Sequence, residues 1–177
     1  MYDDPIVRAI GSRHEIFDEN DPLTQDFLSC ISDLLEHKRV QKLKKYHQHC
    51  NTSRLQHCIS VSYYSYLIAR KIGADPRKAA RAGLLHDLFL YDWRTKKTPQ
   101  VHAFFHPKAA AENAKRVTEL SDCEIDAILK HMWPLCWGLP AYRESVAVTL
   151  ADKYAASIEV VYQWSMVCLR KLHLVRG

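Results

Sequence analysis

Apolar side chains in this sequence return at three- and four-residue spacing almost from end to end, a period that suits helices with one buried face. Phe27, Leu28, Ile31, Leu34 and Leu35 make the first such run, predicting a helix over residues 23–36 started by Asp21-Pro22. A short basic helix is expected next, as far as residue 46. Asn51-Thr52-Ser53 offers caps for a longer helix that runs to Ile72 and stops at Gly73. Pro76 opens an alanine-rich helix that carries on to His86-Asp87. The period lapses over residues 88–105, which reads as an excursion loop, and Pro107 restarts a helix to Leu120. Ser121-Asp122 caps another that ends near Trp133-Pro134, and from Ala141 the pattern is helical nearly to the end. No segment alternates as a half-buried strand would. The expected class is all-α, a single-domain helical bundle over residues 22–177 behind an irregular lead-in, 1–21.

A chain of 177 residues can bury a single core without staples. Its 47% apolar content excludes a disordered chain, and no run approaches the roughly 20 apolar residues of a membrane span. Asp3 and Asp4 stand where a secretory leader would carry bases, so the expected location is the cytoplasm. The six cysteines, at 30, 50, 58, 123, 136 and 168, form no C-x-x-C pair and are expected as free thiols. The net charge of +5 is concentrated in Lys38, Arg39, Lys42, Lys44 and Lys45. Without interleaved aromatics this run reads as a solvated helix face, not a nucleic-acid interface, though it favours phosphate-bearing partners. Composition leaves the oligomeric state open.

Ten histidines beside only five glycines is the unusual count. His57 shares a stripe with Val61, Tyr64 and Ile68 and so points inward. His86-Asp87 lies one turn beyond Ala82 and Gly83, residues small enough to let another helix approach closely. His106 precedes Pro107 and reads as an N-cap, with His102 competing for its part. His131 shares a face with Ala127 and Ile128, and Asp152 lies between Val148 and Ala155-Ala156. Five elements thus aim an imidazole or a carboxylate at one interior. Any one of them alone is as easily a hydrogen-bonded core residue. Together they would be costly to bury unless paired or bound to a cation. Four imidazoles with two carboxylates suit one or two ions of iron, manganese or zinc better than calcium, with magnesium and cobalt as further candidates.

The remaining histidines call for less. His47-Gln48-His49-Cys50 reads as a basic loop near the site mouth, and His14, His37 and His173 as surface residues. Tyr63, Tyr64 and Tyr66 read as packing. Trp93, Trp133 and Trp137 flank the histidines in sequence and read first as core, with a nucleobase pocket as the other reading.

The order His57 … His86-Asp87 … Asp152, set in helices, resembles the signature of the HD-domain superfamily of metal-dependent phosphohydrolases. Leu55-Gln56-His57-Cys58-Ile59-Ser60-Val61 and Ala80-Arg81-Ala82-Gly83-Leu84-Leu85-His86-Asp87 are similar to its core. His106-Pro107 and Ile128-Leu129-Lys130-His131 match two further histidines of binuclear members, and Leu150-Ala151-Asp152-Lys153 the closing aspartate. The resemblance implies that His57, His86, Asp87 and Asp152 hold one metal, and His106 and His131 a second. Asp87 would bridge them and be central to catalysis, with a water activated between the ions attacking phosphorus. The implied substrate is a small-molecule phosphate ester or anhydride, such as a nucleotide. Arg54, one turn before His57, and Lys153 are the candidate substrate-binding cations at the rim, each equally readable as a surface charge. The histidine layout is similar to that of bacterial dinucleoside tetraphosphate hydrolases. Two features depart from many members. Leu88, Phe89 and Leu90 follow His-Asp where Ile-Gly-Lys is common, and the Gly-Tyr-Pro extension of the cyclic-dinucleotide branch is absent. A metal-bearing module that senses a nucleotide or docks a partner without catalysis is the alternative.

Overall fold

Asp21, Ser53 and Asp75 each turn a side-chain oxygen onto a backbone N–H of the helix that follows, and the helices begin where these caps stand. The computed structural model describes residues 9–10, 18, 20–48, 52–95, 101–136 and 138–171. Among them the helices are α1 (Pro22–Leu35), α2 (Lys38–Gln41), α3 (Arg54–Ile72), α4 (Pro76–Leu85), α5 (His102–Ala114), α6 (Asp122–Lys130) and α7 (Arg143–Lys171). A 3-10 turn, Lys42–Lys45, prolongs α2. An isolated bridge between His47 and Ser53 is the nearest approach to a strand among the described residues. The all-α class is therefore the one observed. No described helix is long and apolar enough to cross a membrane.

Helix α3 is the axis. From Arg54 to Tyr66 every residue but Gln56 is buried, so the inward stripe through His57 is only part of its covered surface. Helices α4 and α7 pack on α3, while α1, α6 and α7 pack on α4, and α5 packs on α6. Phe27 meets Tyr63 edge-on at 5.3 Å and Tyr66 at 5.6 Å, so these tyrosines pack the core as expected. Helices α3 and α4 approach closely at Gly83 on α4, where an added Cβ would sit 2.9 Å from Ser62 Cα and from Ser65 Oγ. Beside it Ser62 Oγ donates to the Ala80 carbonyl at 2.7 Å. Cys30, Cys58 and Cys123 are buried free thiols, and Cys136 and Cys168 are free and more exposed.

Local signals misplaced several ends. Helix α5 begins at His102, so His106 lies within the helix and is not an N-cap, with Pro107 inside as well. The extra first turn is held by tertiary packing of His102 on Phe89 and Trp93 and of Phe105 on Tyr91. The same helix stops at Ala114, short of Leu120, where Val117 and Thr118 N–H groups turn back to the Ala114 carbonyl. Helix α4 ends at Leu85, leaving His86 and Asp87 in the turn beyond it. Of the lead-in, only residues 9–10, 18 and 20–21 are described. His14, His49, Cys50, Trp137 and His173, singled out in the sequence, lie outside the described residues.

The Gly83 contact carries a prediction. Gly83→Val should destabilise the fold by about 1–3 kcal/mol, because the added atoms meet the α3 backbone at Ser62 as well as Ser65 Oγ. The urea midpoint of unfolding measures it.

Candidate metal centre

Helix ends expose carbonyls that have lost their partners, and the site is built on them. His86, at the C-cap of α4, donates from Nδ1 to the Gly83 carbonyl at 2.7 Å. His131, at the C-cap of α6, does the same to Ile128 at 2.8 Å. Within α5, His106 Nδ1 donates to the His102 carbonyl at 2.8 Å. Each of these bonds sets the tautomer and leaves an Nε2 lone pair free for the interior. The fourth imidazole, His57 on α3, lies 3.0 and 3.1 Å through Nδ1 from the two carboxylate oxygens of Glu159 on α7.

The free ends converge. The ligand atoms of His57, His86 and Asp152 lie within 4.8 Å of one another, as do those of His86, Asp87 and His131. Asp87 faces both ways. Its Oδ1 is 3.3 Å from His106 Nε2 and 3.7 Å from His131 Nε2, and its Oδ2 is 3.7 Å from His86 Nε2. Asp152 Oδ1 lies 3.2 Å from His57 Nε2 and 3.7 Å from His86 Nε2. The six residues singled out in the sequence as ligands thus stand around one point of the fold.

The donor set fits divalent cations. His106 and His131 bring their Nε2 atoms to 2.9 Å although each already donates from Nδ1. Two lone pairs at that distance repel unless a proton or a cation lies between them. His86 Nε2 and Asp87 Oδ1 are buried with no hydrogen-bond partner, an expensive state for such groups. His57, His86, Asp87, His106, His131 and Asp152 could therefore hold one or two ions, with Asp87 shared.

Electrostatics follow from burial and close opposite charge. Burial alone would lower the pKa of His57, but Glu159 and Asp152 outweigh it and raise the value to about 10. Burial would raise the Asp87 pKa, yet His86, His106, His131 and His57 drive it far below the usual carboxylate range. Asp152 is held low in the same way by its contacts with His57 and His86. Burial, with the charges of His86 and His106, pushes His131 down to about 3, so it is neutral at pH 7 and ready to accept a cation.

Around the cluster lies a cavity of about 340 Å³, lined by Trp93, His102, Met132, Leu135 and Lys153 among others. Trp93 is 40% exposed and stacks on His102 at 5.3 Å and 16°, and His102 stacks in turn on His106 at 4.6 Å. Trp93 is thus part of a cavity wall and not of the core, and Trp133 is likewise 38% exposed. His102 belongs to that stack and does not replace His106 in the cluster. Lys153 lines the cavity, its Nζ donating to the His131 carbonyl at 3.1 Å.

Arg54 is a correction. It is fully buried, and Nη1 donates to the carbonyls of Phe89 at 2.7 Å and Tyr91 at 3.2 Å. Its guanidinium carbon lies 3.5 Å from the Phe89 ring centroid. Leu88 and Phe89, which follow His86-Asp87, are core, and Phe89 fills the space between Arg54 and His106.

The family model for the HD domain matches residues 54–157, which include all six clustered residues. The chain belongs to the HD-domain family of metal-dependent phosphohydrolases. Curated relatives include Ribonuclease Y of Thermoanaerobacter pseudethanolicus (strain ATCC 33223 / 39E), 37% identical over 103 residues, 58% of this chain and 18% of that protein. Ribonuclease Y of Clostridium tetani (strain Massachusetts / E88) is 38% identical over 87 residues, 49% of this chain and 15% of that protein. Ribonuclease Y of Alkaliphilus metalliredigens (strain QYMF) is 48% identical over 44 residues, 25% of this chain and 9% of that protein. The chain therefore spans less than a fifth of the length of these relatives. No solved structure matches it.

Sequence reasoning missed Glu159 and Gln48. Glu159 could have been found, because it lies two helical turns after Asp152 on the same face of α7. Gln48 carries no such signal, since its position depends on a loop conformation.

The His57–Glu159 contact generates two expectations. Glu159→Gln should weaken divalent-ion binding by about 10–100-fold, measured by titration calorimetry. In metal-free protein, a histidine raised from 6.5 to about 10 contributes stability that is complete below pH 6.5 and lost as pH rises through 10. Urea midpoints should therefore fall across that window in the wild type and fall less in Glu159→Gln.

Proposed function

We propose that this HD domain hydrolyses a phosphate ester or anhydride of a nucleotide or related small molecule. The observation that carries the reading is the shared Asp87, whose Oδ1 faces His106 and His131 while its Oδ2 faces His86. Divalent ions held there would supply Lewis acidity toward the phosphoryl group and a lowered pKa for an attacking water. The chain's own contribution is orientation. Backbone carbonyls hold the Nδ1–H of His86, His106 and His131, so Nε2 is the atom each offers to an ion. His57 must give up a proton to do so, and Glu159 stabilises the Nδ1–H that remains. Lys153, at the rim, places a cation where a phosphate would enter, which suits a reaction governed by positioning and charge.

The nucleotide part of the reading rests on the cavity wall. Trp93 is exposed, flat and braced by His102, and Met132 and Leu135 line the same cavity. An aromatic base could stack there while its phosphate reaches the histidines. A second reading, cleavage of a phosphodiester in RNA, is favoured by the likeness to ribonucleases Y and by the basic run from Lys38 to Lys45. Iron, manganese and zinc remain the preferred ions by donor type.

The test is a hydrolysis screen of metal-loaded protein over nucleoside mono-, di- and polyphosphates and single-stranded RNA. Asp87→Ala should retain its circular dichroism and lose more than about 100-fold in turnover. Trp93→Ala should raise KM for a nucleotide by about 10-fold while leaving glycerol phosphate unaffected. Cleavage of RNA alone would favour the second reading, and no cleavage by metal-loaded protein would sink both.

A further inference from the structure

Among the described residues of the loop between the 3-10 turn and α3, Gln48 touches the centre. The loop's base is pinned. Gln48 N–H donates to the Thr52 carbonyl at 2.9 Å, and Arg54 N–H to the Tyr46 carbonyl at 2.7 Å. From this anchored position the Gln48 side chain spans two charged groups. Its Oε1 accepts from Arg54 Nε at 2.9 Å, and its Nε2 donates to Asp87 Oδ2 at 2.5 Å.

Chemistry fixes which way the amide points. A guanidinium has only donors and an ionised carboxylate only acceptors, so the oxygen must face Arg54 and the nitrogen Asp87. Arg54 is itself immobile, held by the Phe89 and Tyr91 carbonyls and faced by the rings of Phe89 and Tyr46. A buried arginine at the end of a two-bond chain is therefore what aims the amide.

We infer that Gln48, oriented by Arg54, is the positioning residue that stops the Asp87 carboxylate from rotating. With one Oδ2 lone pair bonded to Gln48, the other remains toward His86, and Oδ1 stays toward His106 and His131. Rotation about the Cβ–Cγ bond would break that division. A shared carboxylate serves two ions only if each oxygen keeps its side. This accounts for a fully buried cation beside the site that touches no cavity surface. The effect on turnover rests on the phosphohydrolase reading; the effect on ion binding does not.

The test compares the full chain with Gln48→Leu, which keeps the volume without the donor, and Gln48→Glu, which sets a like charge against Asp87. Manganese binding by calorimetry, kcat and KM on a cleaved nucleotide, and the melting temperature are read for each. Both variants should lose about 10–100-fold in manganese affinity and a similar factor in kcat, with KM within about 2-fold and melting little changed. Gln48→Glu should lose more. Arg54→Lys should reproduce the loss, and if it does not fold, the Gln48 pair still decides. Unchanged affinity and kcat in Gln48→Leu would overturn the inference, as would a rise in KM alone, which marks a substrate contact. If wild type binds manganese but cleaves nothing, the phosphohydrolase reading fails, while the manganese affinities still judge Gln48.

Discussion

The last carbonyls of a helix have no intrahelical partner, and in this protein two of them orient the site. His86 and His131 cap α4 and α6 and turn their Nδ1–H groups onto Gly83 and Ile128, three residues back. The interaction serves both sides. It satisfies a buried acceptor and forces the imidazole to present Nε2 inward. Asp87, at 3% exposure, is kept charged against the cost of burial by the imidazoles of His86, His106, His131 and His57 and by the Gln48 amide. Without fixed tautomers the cluster would be a set of polar groups competing for protons.

That arrangement needs α3 and α4 unusually close. His57 rides on α3 and His86 on the end of α4, and their rings lie 5.3 Å apart. Gly83 permits the approach, because the α3 backbone at Ser62 occupies the place of its missing side chain. The burial of α3 on almost every face is the consequence. Its serines Ser60, Ser62 and Ser65 are fully buried, and Ser62 bonds to the α4 backbone.

Much of this was legible in the linear order. Caps at Asp21, Ser53, Asp75 and Ser121 and the left-handed Gly73, at φ 67°, act within a turn, so local residues reveal them. Pro107 misled because a proline read as a helix start sits inside α5, whose first turn is kept by the aromatic packing of His102 and Phe105. Arg54 misled for the opposite reason. Its spacing from His57 is local, but which way its guanidinium turns depends on Phe89 and Tyr91, more than thirty residues away. Trp93 was read first as core because exposure is a property of the assembled surface.

The sequence by itself determined the helical class and the residues able to ligate a cation, since periodicity, capping and side-chain chemistry are written within a few neighbouring positions. Only the tertiary structure decided how those groups are used. Asp87 faces two histidine groups, Glu159 backs His57 and Gln48 holds Asp87 because segments up to 102 residues apart pack together. Hydrogen bonds across such separations depend on where whole helices come to rest, and no local pattern encodes that.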